Sequence, residues 1–231
     1  MILTTTNVSK KYSNKTIIKD INLQISKGDI IGLVGRNGAG KSTLLTILSQ
    51  LPIKYNGDVN YHKEFNRDSI SSLIDTPDFF PYLSGFNNLL YFGKLKKLKN
   101  TESKCLELLN EVDLYHARNK KFGEYSLGMK QRLGITLALM NSPKFLILDE
   151  PFNGIDPEGI VELRNLLLRL NQAEGLTILI SSHILSDLYK ICNRFIFLSK
   201  QTIIADISKD ELKNNINSSE SIEDYYLSVI R

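Results

Sequence analysis

Gly35, Gly40, Lys41 and Ser42 stand in the stretch GRNGAGKST, residues 35–43, at the spacing G-x-x-x-x-G-K-[ST]. Glycines at this spacing let consecutive backbone N–H groups converge on phosphate oxygens. Lys41 would reach the outer phosphates of a bound polyphosphate, and the Ser42 hydroxyl would ligate Mg²⁺. Arg36, Asn37, Gly38 and Ala39 complete the loop and Thr43 follows it, so the whole run is a candidate phosphate cradle.

Two further groups suit the same chemistry. The apolar run KFLIL (144–148) ends in Asp149 and Glu150, then Pro151. Asp149 is placed to hold Mg²⁺ or its water, and Glu150 to orient or deprotonate an attacking water. A second apolar run, LTILIS (176–181), leads into Ser182 and His183. Taken alone, an acidic pair after a strand is as often a loop entry, and a single histidine there is more often a helix start or a satisfied core group. Beside the glycine-rich loop, both become site candidates.

These residues need elements to hold them. DIIGLV (29–34) reads as a short buried strand, and Gly40–Leu51 as a helix stopped at Pro52. A helix N-terminus at Gly40 adds its partial positive charge to the phosphate site. Residues 144–148 and 176–181 read as further buried strands, with a helix from about 184 to 191. Carboxylates at the C-terminal end of a buried parallel strand sit where open α/β sheets bind their ligands.

Composition narrows the class. The chain has 231 residues, 42% hydrophobic and 23% charged, which suits a packed globular protein and argues against disorder. The net charge of +4 is spread along the chain, and its densest basic run, KLKKLK (94–99), reads as a solvated helix face. It has no interleaved aromatics, so nucleic acid is not an expected partner. Cys105 and Cys192 lie far apart without a CxxC, and are expected to be buried thiols in a reducing cytosol. The start MILTTTNVSKKYS lacks the apolar core of a signal peptide and the apolar runs are strand-sized, so the chain is not expected to cross a membrane alone.

The segment YSLGMKQRL (125–133), opening a helix to about Met140, resembles the signature motif of ATP-binding cassette (ABC) ATPases, usually Leu-Ser-Gly-Gly-Gln. From the order of phosphate loop, signature, FLILDEP and switch histidine, the chain is identified as a member of that superfamily. The resemblance implies an α/β P-loop NTPase fold, an ABC ATPase core with a mostly parallel sheet, an antiparallel β edge and an inserted helical subdomain. Residues 1–75 and 128–205 would form the catalytic core, 76–127 the helical subdomain and 206–231 a C-terminal tail. ATP and Mg²⁺ are the implied ligands.

Residue by residue, Tyr12 resembles the aromatic that stacks on adenine, and Asp156 the aspartate that bridges two ATP sites. His183 resembles the group that contacts the γ-phosphate and positions Glu150. Ser126 and Gly128 resemble the signature elements that bind the γ-phosphate of ATP held by a second copy. The resemblance therefore implies an ATP-dependent head-to-tail homodimer, working with integral membrane permease subunits at the inner face of the cell membrane.

Two positions depart from the usual pattern. Leu127 and Met129 replace glycine and glutamine in the signature, leaving the γ-phosphate contact to Ser126, Gly128 and backbone N–H groups. Asp75 stands where the family has a glutamine that contacts the metal; its carboxylate could ligate or water-bridge Mg²⁺, although it is shorter by a methylene. Both departures are similar to one branch, the ATPase subunits of bacitracin and lantibiotic exporters. An exporter of another cargo, such as a lipid or polysaccharide, would share the whole ATPase machinery. A non-transport ABC ATPase acting on nucleic acid or ribosomes usually has two cassettes or a long coiled-coil insertion, and this chain has neither.

In the inserted segment, Leu89, Leu95, Leu98, Leu106, Leu109 and Leu114 recur at helical spacing and are expected to form its core. Phe79, Phe80 and Tyr82, in a proline-bounded loop, lie where the family meets its membrane partner. KNNINSSES (213–221) reads as a surface loop, and SIEDYYLSVI (221–230) as a helix capped by Ser221 with Asp224 three residues on.

Overall fold

The computed structural model describes residues 1–74, 78–216 and 222–230. The chain begins with β1 (Leu3–Tyr12), β2 (Lys15–Ile25) and β3 (Ile30–Val34), followed by α1 (Lys41–Leu48), β4 (Asn56–Tyr61) and β5 (Ile70–Leu73). Helices α2 (Gly85–Leu95), α3 (Thr101–Glu111) and α4 (Leu127–Leu139) precede β6 (Phe145–Asp149). Then come α5 (Pro157–Glu174), β7 (Thr177–Ser182), α6 (Leu185–Tyr189), β8 (Arg194–Ser199) and β9 (Thr202–Ser208), and finally α7 (Lys209–Asn215) and α8 (Ile222–Ile230).

A six-stranded sheet runs β5-β6-β7-β3-β8-β9. Its pairs are parallel except β8 with β9. All five residues of β3 and all six of β7 are buried, because helices or strands cover both faces of the sheet. The other antiparallel strands do not extend this sheet; β2-β1-β4 forms a three-stranded sheet of its own. Helix α1 lies between the two, and Leu44, Leu45 and Leu48 share one apolar cluster with Ile18 and Ile21 of β2 and Phe145 and Ile147 of β6. The opposite face of the large sheet packs through Leu146, Leu148, Ile178 and Ile180 on a second cluster. That cluster also holds Leu89, Cys105, Leu108, Leu109 and Leu114, so the helices after β5 share the core of the sheet. Phe145, Phe195 and Phe197 are fully buried, each contributing about 2–3 kcal/mol of hydrophobic stabilisation.

Several expectations change in the folded chain. Helix α1 stops at Leu48, short of Pro52, because Ser49 closes it through its N–H to Leu45 and Gln50 turns left-handed at φ 56°. Helix α6 spans only residues 185–189. Leu95 is 67% exposed, as the last residue of α2 where the chain turns away from the core. Phe79 is buried against Phe92 and Phe122, leaving Tyr82 as the exposed aromatic of its loop. Ser208 caps α7 with Glu211 in a reciprocal box, so residues 213–215 of the expected surface loop are helical. Ser221 and Asp75 lie outside the described residues.

Candidate functional site

Strand register assembles the site. In the parallel sheet Val34 pairs with Ser182, and Asp149 with Ser181. The residues that follow these strand ends, Gly35, Glu150 and His183, therefore emerge side by side at one edge. A cleft of about 400 Å³ opens there, lined by Lys15, Ile17, Asn37, Gly38, Gly40, Lys41, Ser42, Thr43 and Glu150.

The loop between β3 and α1 depends on its glycines. Gly40, at the helix N-cap, has φ +105°, and a Cβ there would stand 2.5 Å from Ile18 Cγ2 and 2.9 Å from the Ile17 carbonyl oxygen. At Gly35 a Cβ would meet the Leu198 carbonyl oxygen at 2.6 Å. Ala39 N–H donates to the Arg36 carbonyl at 3.0 Å, which folds the loop over the start of α1. No acidic residue occupies the first turn of α1, so its N-terminal dipole faces the cleft unopposed.

Lys41, 6% exposed, folds back along the loop. Its ammonium donates to the Gly35 carbonyl at 2.8 Å and lies 3.1 Å from Glu150 Oε1. The other Glu150 oxygen, Oε2, is 2.8 Å from His183 Nδ1. A carboxylate oxygen accepts, so Nδ1 is the donor of that bond. Glu150 thus joins a buried cation to a histidine that is 41% exposed.

The Glu150 backbone is left-handed, with φ +47°. A left-handed backbone on such a residue is strained by about 1–3 kcal/mol and persists only where neighbours hold it. Ser181 does so: the Glu150 N–H donates to Ser181 Oγ at 2.9 Å, and the Ser181 hydroxyl donates in turn to Asp149 Oδ1. The sequence reading passed over Ser181; the available signal was a hydroxyl near the end of an otherwise apolar buried strand. Lys15 and Ile17 were also missed, because the first sheet reaches the cleft only through the tertiary fold.

The remaining candidates lie elsewhere. Tyr12 is half exposed and does not line the cleft, but it pairs across the β1–β2 hairpin with Lys15, which does, and Lys10 Nζ sits 4.5 Å from its ring centre. Ser126 caps α4, accepting from Met129 N–H at 3.2 Å. Asp156 caps α5, accepting from Gly159 N–H at 2.8 Å. Ser126, Gly128 and Asp156 do not line the cleft with Lys41. They gather beside one another instead, with Leu127 against Gly154 and Gly128 beside Ile155.

The donor chemistry fits a hard cation. The Ser42 hydroxyl at the start of α1 and the Asp149 carboxylate at the end of β6 offer oxygen only, the preference of Mg²⁺. Among the described residues no group of three or more His, Cys, Asp and Glu is placed to cage a metal. Among the same residues, no helix is long and apolar enough to cross a membrane.

Known proteins are similar to this chain in sequence and fold. A family model described as ABC transporter matches residues 18–153. The bacitracin transport ATP-binding protein BcrA of Enterococcus faecalis is 40% identical over 220 residues, 91% of this chain and 70% of that protein. The lantibiotic transport ATP-binding protein SrtF of Streptococcus pyogenes is 40% identical over 224 residues, 95% of this chain and 93% of that one. Among solved structures, a nucleotide-free ATP-binding cassette from an ABC transporter matches with a TM-score of 0.82 at 27% identity, covering 92% of this chain and 94% of that chain. The ADP conformation of another ATP-binding cassette of an ABC transporter matches at 0.84 and 25% identity, covering 98% of each. With a glycine-rich loop, an acidic strand end and a histidine converging on one edge of such a sheet, the chain belongs to the ABC transporter family and is an ATPase of the ATP-binding cassette fold.

Proposed function

We propose that this ATPase drives a bacterial exporter that removes peptide antibiotics of the bacitracin and lantibiotic kind. The observation that carries the catalytic part is Glu150, held between Lys41 at 3.1 Å and His183 at 2.8 Å at the mouth of the cleft. ATP entering the cleft would draw Lys41 off Glu150 and the Gly35 carbonyl toward its phosphates, since a polyanion is the stronger partner. The released carboxylate then serves as general base toward a water in line with the γ-phosphate, and His183 keeps it aimed. General-base assistance of this kind contributes about 10²–10⁴ in rate. Ser42 and Asp149 would hold Mg²⁺, which when bound neutralises charge on the phosphate oxygens; Asp75 is the further candidate. Backbone N–H groups of residues 35–43 cradle the phosphates, and Tyr12 stacks on the adenine.

Ser126, Gly128 and Asp156 lie away from the cleft, which supports a head-to-tail pair in which each copy's signature closes over the ATP of the other. Closure of the pair would pull on two permease subunits, placing the chain on the inner face of the cell membrane. The exposed Tyr82, tilted against Phe80, offers the permease an aromatic contact. The peptide cargo is inferred from the relatives, which are named for bacitracin and lantibiotic transport.

Expression with the cognate permease in a sensitive host tests the whole reading. Resistance to bacitracin or one lantibiotic that disappears with Glu150→Gln is expected. Unchanged sensitivity with both proteins present at the membrane would instead favour a different cargo.

A further inference from the structure

The side chain at the third position of the signature, where the family usually has glycine, touches a loop that starts at the candidate base. Leu127 is the first residue of α4 and is 44% exposed. Its Cδ2 lies 2.7 Å from where a Cβ on Gly154 would stand. Gly154 has φ +71°, a conformation that glycine adopts freely, so its bare backbone is what allows the leucine to lie against it. The contact continues one residue further, where a Cβ on Gly128 would stand 3.5 Å from Ile155 Cγ2.

The loop touched in this way is short and internally bonded. Asn153 N–H donates to the Glu150 carbonyl at 3.0 Å and Ile155 N–H to the Phe152 carbonyl at 3.3 Å. Its far end is fixed where Asp156 caps α5. A displacement of Gly154 is therefore passed to Glu150 through one turn of bonded backbone, with little slack.

We infer that Leu127 is a positioning residue that locks the signature turn to the loop from Glu150 to Asp156, so that neither moves without the other. This rests on the paired-cassette reading above, in which the signature binds the ATP of the second copy. Engagement of that ATP then sets the posture of this chain's own base. A glycine in place of Leu127 leaves Gly154 facing open space and uncouples the two.

A double-mutant cycle reads the contact itself. Gly154→Ala in the otherwise unaltered chain adds both backbone strain and a collision with Leu127; in a Leu127→Gly background only the strain remains. The Leu127 tip can swing aside in part, so the alanine is expected to lower the melting temperature by about 1–2 °C more with Leu127 present than without it. Equal shifts in both backgrounds would overturn the lock.

ATP-driven dimerisation reads its consequence. In the Glu150→Gln protein, adding Leu127→Gly is expected to raise the protein concentration at half-dimerisation about tenfold. Leu127→Met should restore it to within about threefold, because methionine keeps the apolar reach. Binding of a fluorescent ATP analogue to the monomer should change by less than about twofold, since Leu127 does not line its own cleft. Dimerisation indifferent to Leu127→Gly would overturn the proposed role while leaving the paired reading intact. A Glu150→Gln parent that stays monomeric with ATP would overturn the paired reading, and this role with it.

Discussion

The Lys41 ammonium and the Glu150 carboxylate lie 3.1 Å apart, and the lysine is almost wholly buried. Each group is thus partnered by the other. On the proposed reading, ATP would exchange this ion pair for a lysine–phosphate pair and leave Glu150 to water and His183.

Glu150→Gln releases Lys41 from its pair and, on the proposed reading, removes an anion from beside the γ-phosphate. ATP is expected to bind about 3–10-fold more tightly, and kcat to fall about 10²–10⁴-fold. Fluorescent-nucleotide titration and phosphate release measure the two effects. Full turnover in this variant would remove Glu150 from the role of base.

Ser181→Ala withdraws the hydroxyl that accepts from Glu150 N–H and donates to Asp149. The left-handed backbone of Glu150 then loses a support, at about 1–3 kcal/mol. A drop in kcat of about tenfold with a nearly unchanged KM for ATP is expected, because the phosphate loop is untouched. A rise in KM alone would show that Ser181 serves binding instead.

Gly40→Ala forces a Cβ to within 2.5 Å of Ile18 Cγ2 on a backbone at φ +105°. The loop must distort or β2 must retreat. Nucleotide affinity is expected to fall more than about tenfold, since misplaced N–H groups cannot converge on the phosphates. Isothermal titration checks this, and near-normal affinity would show the loop to be more forgiving than its geometry.

Arg164 and Asp187, 11% and 14% exposed at their side chains, pair at 3.5 Å and tie α5 to α6, the helix that follows His183. Among the described residues Arg164 Nη1 makes no hydrogen bond, so at this atom the link is ionic. Losing one partner strands a charge in a nearly dry site, and Asp187→Leu is expected to destabilise by about 3 kcal/mol or more. Denaturant unfolding measures it. Exchanging both residues, as Arg164→Asp with Asp187→Arg, should recover part of the loss, and no recovery would count against a charge pairing.

Burial pushes the Cys105 thiol up to about 11 and the Cys192 thiol higher still. Both groups hold their protons more tightly in the folded chain than in the unfolded one. Their contribution to stability is therefore complete below about pH 8.5, the unfolded value, and falls as pH rises toward the folded values. Melting temperature should decline from about pH 9 to 11. Iodoacetamide at neutral pH should label neither cysteine until the chain is unfolded; rapid labelling of the native protein would contradict this burial.

Much of the site was legible because its chemistry depends on neighbours in sequence. A glycine spacing that frees consecutive N–H groups, a lysine at the helix start and an acid pair ending an apolar run are local facts, and the structure sets the phosphate loop, Glu150 and His183 at one edge. The elements behind them were legible for the same reason, since runs such as IIGLV and FLIL have the length and apolarity of strands covered on both faces. Boundaries were less so. Gln50 turns left-handed two residues after α1 ends, and nothing in LLTILSQLP marks that place.

What the sequence by itself determined was the inventory: which residues can bind phosphate, which can move a proton, and which runs must be buried. Only the tertiary structure decided how they meet. Register between strands far apart in the chain sets Ser181 beside Asp149 and Glu150, and crossing helices bring Leu127 onto Gly154. A residue's type and spacing constrain its own backbone and nearest neighbours. Contacts between remote segments arise from the packing of whole faces, and no short pattern encodes them.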